Sequence, residues 1–95
     1  MKNEIELIKK RILPVLKEHK VKKAGIFGSY ARGEQNKKSD VDILIEVSND
    51  IGLIGFISLK MLIEKAIKKK IDLVEYDAIR KELKENILKE EIRII

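Results

Sequence analysis

A chain of 95 residues has room for one compact domain, and 44% hydrophobic with 39% charged residues is the balance of a small core under a charged shell, which excludes intrinsic disorder. Twenty-one Lys and Arg against 16 Asp and Glu leave a net charge of +5, and the absence of cysteine excludes a disulfide framework, a thiolate metal site and a cysteine nucleophile. No apolar run reaches 18 residues and the opening MKNEIELIKK is acidic where a signal peptide is apolar, so a cytoplasmic protein is expected.

From Asn3 to about Lys20, Ile5, Ile8, Ile12 and Leu16 recur at helical spacing, which predicts an amphipathic helix that Pro14 kinks or breaks in two. His19, the only histidine, lies in a lysine-rich helix end with no partner motif and is set aside as a ligand. Val21 to Phe27 reads as a first strand, Gly28 breaks it, and Ser29 caps a short helix over Tyr30 to Gly33. Gln35 to Ser39 is a polar loop, and Val41 to Val47 is the best strand of the chain, rich in branched aliphatics. A turn at 48–50 leads into a second long helix, Ile54 to Lys69, closed by Lys68, Lys69 and Lys70 where the helix dipole favours cations. Ile71 to Glu75 is a third strand, and Asp77 is the expected cap of a helix from Ala78 with a break near Asn86. Ile92, Ile94 and Ile95 suggest a short final strand. This alternation gives a small α/β sandwich whose sheet is covered on one face by helices. The element order does not decide between a parallel and a mixed sheet.

The charge is segregated. Residues 1–38 carry 11 basic and four acidic side chains, and 39–95 carry ten basic and 12 acidic ones. A basic half invites a nucleic-acid reading, but four aromatic residues are few for stacking bases, so direct nucleic-acid binding is not expected.

Asp40 and Asp42 stand two apart at the start of the best strand, where the period of two points both carboxylates to one face, about 7 Å apart. Such a pair either caps a strand end in solvent or holds a cation, as Mg²⁺ is held by one or two carboxylates with water and phosphate oxygens completing its shell. Upstream, Gly28-Ser29 sits at a strand-to-helix turn, where glycine allows close approach of a phosphate and the helix start offers free N–H groups. The two features are separated by ten residues. A chance match to four fixed letters at that spacing is on the order of one in a thousand for a chain of this length. Asp72 opens the third strand, and a right-handed crossover would bring it beside the first two, with Glu75 as the substitute if it does not.

The stretch Gly28-Ser29-Tyr30-Ala31-Arg32-Gly33, followed by Ser39-Asp40-Val41-Asp42-Ile43-Leu44-Ile45, resembles the motif of the polymerase-beta-like nucleotidyltransferase superfamily. With the IDLVEYDAI tail, the chain is similar to its minimal nucleotidyltransferase (MntA-like) group over nearly its whole length. The resemblance implies one nucleotidyltransferase domain over 1–95, a mixed sheet covered by helices on one face, and ATP as substrate. It implies two Mg²⁺ ions held by Asp40, Asp42 and Asp72, with Gly28 and Ser29 on the triphosphate and Asp72 helping to remove the acceptor proton. Arg32 would offset phosphate charge or form a salt bridge to Glu34 or Asp40, and Ser39 would bond phosphate or only shape its turn. The chain leaves no length for an acceptor-binding domain, so the acceptor surface is expected from outside. Minimal nucleotidyltransferases are commonly antitoxins that transfer AMP to a tyrosine hydroxyl of a HEPN-type ribonuclease toxin, and Ile92 to Ile95 would serve such an interface or a buried edge strand. The resemblance leaves room for a non-catalytic antitoxin acting by contact, or for an RNA or small-molecule acceptor.

Overall fold

The computed structural model describes residues 4–95, so the expected helix start at Asn3 lies outside the described residues. Helix α1 (Glu4–Glu18) buries Ile8, Ile12 and Leu16 and runs unbroken through Pro14. The predicted break does not occur, because Pro14 and Lys10, whose carbonyl loses its N–H partner, both lie on the exposed side where water can replace the bond. Strand β1 (Lys23–Phe27) starts two residues later than expected, and Val21 closes the turn out of α1 through its N–H to the Leu16 carbonyl at 2.9 Å.

The short helix α2 (Gly28–Arg32) begins at the glycine itself, so Ser29 lies inside the first turn and does not cap it. Gly33 ends α2 in the left-handed region, with φ 73°. Strand β2 (Val41–Glu46) is followed by a 3₁₀ turn over Asn49–Ile51 and then by α3 (Gly52–Ile67), which starts earlier and stops sooner than its periodicity suggested. Lys68 adopts the left-handed conformation at the end of α3, so Lys69 and Lys70 lie beyond the helix, and Lys69 pairs with Glu4 at 3.3 Å. Strand β3 (Ile71–Glu75) leads into a 3₁₀ turn over Tyr76–Ala78, and α4 (Lys81–Glu90) follows without a break at Asn86. Asp77 therefore caps no helix. Tyr76 is buried with its hydroxyl on Glu91, which pins this turn to the sheet and delays the helix until Lys81. Strand β4 (Ile92–Arg93) is short, as expected.

The strands lie in the order β3-β2-β1-β4; β2 and β3 are parallel, and β1 is antiparallel to both β2 and β4. The sheet is mixed. Hydrophobic periodicity sorts its two faces: Ala24, Ile26, Val41, Ile43, Ile45, Ile71 and Leu73 join Ile8, Ile12 and Leu16 of α1 and Leu59, Ile63 and Ile67 of α3 in one core. Phe27, Asp42 and Asp72 share the opposite face, since their positions alternate with those core residues. Ile92, Ile94 and Ile95 pack partly buried against the core, and the N–H groups of Ile94 and Ile95 reach the Ala24 carbonyl, so the terminal stretch is an edge strand. Among the described residues no helix is long and apolar enough to cross a membrane.

Candidate active site

The parallel register sets Asp42 directly opposite Asp72, so the β2-α3-β3 crossover delivers the third carboxylate to the face that the alternation assigns to the first two. Asp40, one residue before β2, is near enough for its charge to act on Asp42 and is exposed, as is Asp72, whereas Asp42 is half-buried. Burial first, then the Asp72 and Asp40 carboxylates, push the Asp42 carboxyl up from 3.8 to about 6, while the Arg32 guanidinium pulls it back. Three like charges thus crowd one strand end. Glu75 pairs with Ile45 on the core-side register, three residues from Asp72, and takes no part.

The Gly28-Ser29 bend meets the carboxylates at Asp42. Phe27 pairs with Asp42 across β1 and β2, and Gly28 follows with φ 75°. A Cβ on Gly28 would overlap Oδ2 of Asp42 and stand 2.9 Å from its Cγ, so only glycine lets the carboxylate lie against this backbone. Ser29 lies in the following turn, and its carbonyl accepts the Glu34 N–H at 2.9 Å.

Arg32 is held by two acids: its Nε donates to Glu34 Oε1 at 2.9 Å and its Nη1 to Glu90 Oε1 at 3.1 Å. These two hydrogen bonds, Glu34 before Glu90, raise its already high pKa. Of the two partners considered from sequence, Glu34 is found. The second is Glu90, from α4, and not Asp40. The Ser39 hydroxyl accepts the Asn36 N–H at 2.9 Å, and the Asn36 carboxamide accepts the Lys38 N–H at 2.8 Å, so Ser39 shapes the loop before Asp40. His19 stays remote, its ring 2.9 Å from the Val15 carbonyl within α1's own last turns. A cleft of about 500 Å³ bordered by Glu46, Ser48, Asp50 and Asp77 lies at the other end of β2 and does not reach the carboxylates.

The polymerase beta nucleotidyltransferase model matches residues 10–95. The chain belongs to this family. A relative from Methanocaldococcus jannaschii, MJ0435, is 42% identical over 91 residues, 96% of this chain and 98% of its own. The protein adenylyltransferase MntA of Thermococcus cleftensis is 34% identical over 74 residues, 78% of this chain and 75% of its own. Among solved structures, a minimal nucleotidyltransferase superposes with a TM-score of 0.80 at 27% identity, covering 93% of this chain and 90% of that one. The fold also recurs, at a TM-score of 0.71 and 20% identity over 95% of this chain and 71% of that one, in a complex of a tri-AMPylated Shewanella oneidensis HEPN toxin with an MNT antitoxin.

The nucleotidyltransferase is therefore an enzyme by family. Two features of this nucleotidyltransferase were not apparent in its sequence. Glu90 lies 58 residues from Arg32, and nothing in a charged helix distinguishes it from Glu82 or Glu85. Glu91, with only 6% of its side chain exposed, takes the Tyr76 hydroxyl and Arg93 Nε and fills the space where a Cβ on Gly25 would lie. A glycine inside the apolar strand β1 was the available signal, since such a residue marks close approach of another group.

Proposed function

We propose that this chain is a Mg²⁺-dependent protein adenylyltransferase, a single domain that transfers AMP from ATP to a tyrosine hydroxyl of a HEPN-type toxin in the cytoplasm and so acts as its antitoxin. The observation that carries the chemistry is the Asp42–Asp72 rung beside Asp40, with Gly28 against the Asp42 carboxylate. The acceptor rests on likeness to MntA and to an antitoxin bound to an AMPylated HEPN toxin.

The donor set fits the metal. It is all oxygen, and its central member is half-buried among like charges that a hard cation would neutralise. Among the described residues no three such groups are already gathered into a ready-made cage, and Mg²⁺ is commonly held by one or two carboxylates with water and substrate phosphates completing its shell. Asp40, Asp42 and Asp72 would hold the magnesium, a pair of ions in this reading, which when bound neutralises charge on the α-phosphate and the departing pyrophosphate.

This chain's residues do the remainder. The backbone at Gly28 and Ser29 receives the β- and γ-phosphates, with the Ser29 hydroxyl adding a hydrogen bond, while Arg32 is engaged by Glu34 and Glu90. The tyrosine oxygen forms a bond to the α-phosphorus, the bond to the bridging oxygen of the β-phosphate breaks, and pyrophosphate leaves. Asp72, exposed on the open face, takes the proton of the attacking hydroxyl. The site lies at the less covered end of its sheet face, where Asp40 and Asp72 are exposed, and this end admits a side chain presented by another protein.

Purified chain mixed with its HEPN toxin, labelled ATP and Mg²⁺ is expected to label the toxin, and Asp42→Asn is expected to abolish labelling with unchanged circular dichroism. Undiminished transfer by that variant would discard the carboxylate assignment. Toxin inhibition that needs no ATP would replace catalysis with blocking by contact, and label on RNA would reassign the acceptor.

A further inference from the structure

Helix α3 is apolar on two sides, and only one of them faces the core. At about 100° per residue, Leu59, Ile63 and Ile67 form the buried side, and Ile54, Ile57 and Met61 fall about 120–180° away from it. Those three are 82%, 47% and 62% exposed, and Leu53 and Leu62 widen the patch on either flank. Scattered surface apolar residues need no explanation, but a stripe of three on successive turns, opposite the core, marks an interaction surface.

We propose that this stripe is the interface of a two-fold dimer in which α3 packs antiparallel against α3 of a second copy. The pattern is self-complementary about the point between Ile57 and Ser58. In an antiparallel pair centred there, Ile54 meets Met61 of the second copy at each end, and Ser58 gives Ile57 a small neighbour near the axis. Charge follows the same symmetry. Asp50, in the turn before α3, comes opposite Lys65 in the last turn of the second copy's helix, twice per dimer. Asp50 spends one hydrogen bond on the Ser48 hydroxyl at 2.5 Å and stays exposed, and Lys65 is exposed and joins no ion pair among the described residues. A different partner would have to supply both charges and apolar groups at matching intervals, whereas a second copy carries them already. Because α3 covers the sheet face opposite Asp42 and Asp72, such a dimer leaves both carboxylate sites open to the acceptor.

Sedimentation velocity of the whole chain from low micromolar to submillimolar concentration tests this. The expected result is a monomer–dimer equilibrium toward twice 11.0 kDa. Ile57→Glu is expected to weaken it by about 100-fold, through a carboxylate desolvated at the axis. Met61→Lys, at a more exposed position, is expected to do the same with unchanged circular dichroism. Lys65→Asp should weaken the dimer, and Asp50→Lys combined with Lys65→Asp should restore it, which only the antiparallel two-fold explains. A monomer at every concentration, a dimer indifferent to Ile57→Glu and Met61→Lys, or failure of the charge swap to restore association would overturn the proposal. A chain that is monomeric alone but loses toxin binding on Ile57→Glu would overturn it too, giving the stripe to a different protein.

Discussion

Replacing Gly28 with alanine tests the contact between the two halves of the motif. The residue has φ 75°, where an L side chain costs about 1–2 kcal/mol. The new Cβ would also overlap Asp42 Oδ2 and crowd Cγ at 2.9 Å, so the carboxylate must turn away, at about 0.5–1.5 kcal/mol for a side chain driven off its rotamer. Together these predict a loss of about 2–3 kcal/mol, a fall in Tm on the order of 10–20 °C for a domain of this size. The two contributions separate in an Asp42→Ala background. There Oδ2 and Cγ are gone, the nearest remaining atom is the Cβ at 3.2 Å, and only the backbone strain of about 1–2 kcal/mol should survive. Urea unfolding of the four proteins of this cycle, in metal-free buffer, should give a coupling of about 1 kcal/mol. If Gly28→Ala costs the same with and without the Asp42 carboxylate, the two groups are not in contact and the geometry argued for the site is wrong. Nucleotidyl transfer should fall with the single Gly28→Ala change in any case, because Asp42 can no longer occupy its place.

Asp42→Asn should stabilise the metal-free protein above pH 6 and lose that advantage as the pH falls toward 4. A carboxyl raised from 3.8 to about 6 by folding favours the folded state only while protonated, so its stability contribution is lost as the pH rises through 6. Two units correspond to about 3 kcal/mol, which its exposure reduces to roughly 1 kcal/mol, or about 4–8 °C in a scan of Tm against pH. A wild-type advantage at pH 8 without metal would contradict it. Added Mg²⁺ should raise the wild-type Tm and leave Asp42→Asn unmoved, as expected for an ion that binds only the folded carboxylates. Arg32→Ala should move the Asp42 titration above 6 in a carboxyl ¹³C NMR series, since the guanidinium pulls it down. Tyr76→Phe should cost about 1–3 kcal/mol by leaving the buried Glu91 carboxylate short of a donor, and should speed hydrogen exchange at the Ile94 amide that ties the terminal strand to Ala24.

The carboxylate constellation was legible because strand geometry is rigid. A period of two fixed Asp40 and Asp42 on one face, and the right-handed crossover through α3 left β3 no place but beside β2. The bend was legible as a location but not as a contact: that Gly28 touches Asp42 depends on the β1–β2 register, which pairs Phe27 with Asp42 and which no local pattern states. Helix ends were misread where tertiary contacts outweighed local capping chemistry. Asp77 has a good capping side chain, yet burial of Tyr76 fixes its neighbourhood as a 3₁₀ turn. Pro14 has a helix-breaking ring, yet its exposed position lets the buried stripe of α1 continue past it.

The two faces of the sheet explain why the carboxylates sit where they do. Strand β2 gives Val41, Ile43 and Ile45 to the core and only Leu44, fully buried, to the other side, with Asp42 before it and Glu46 after it. Cover on that second side gathers toward one end, around Tyr76 and Glu91, and thins toward Asp42, which is left half-buried. That intermediate position matters. Full burial would drive a carboxyl flanked by two others far above neutrality and protonate it, forfeiting its charge for a cation. Full exposure would let water screen the trio, and a cation would then relieve little repulsion. At about 6, Asp42 is still mostly ionised at pH 7 while its unfavourable crowding persists, so in the proposed function a divalent ion would find charge in place and repulsion to relieve.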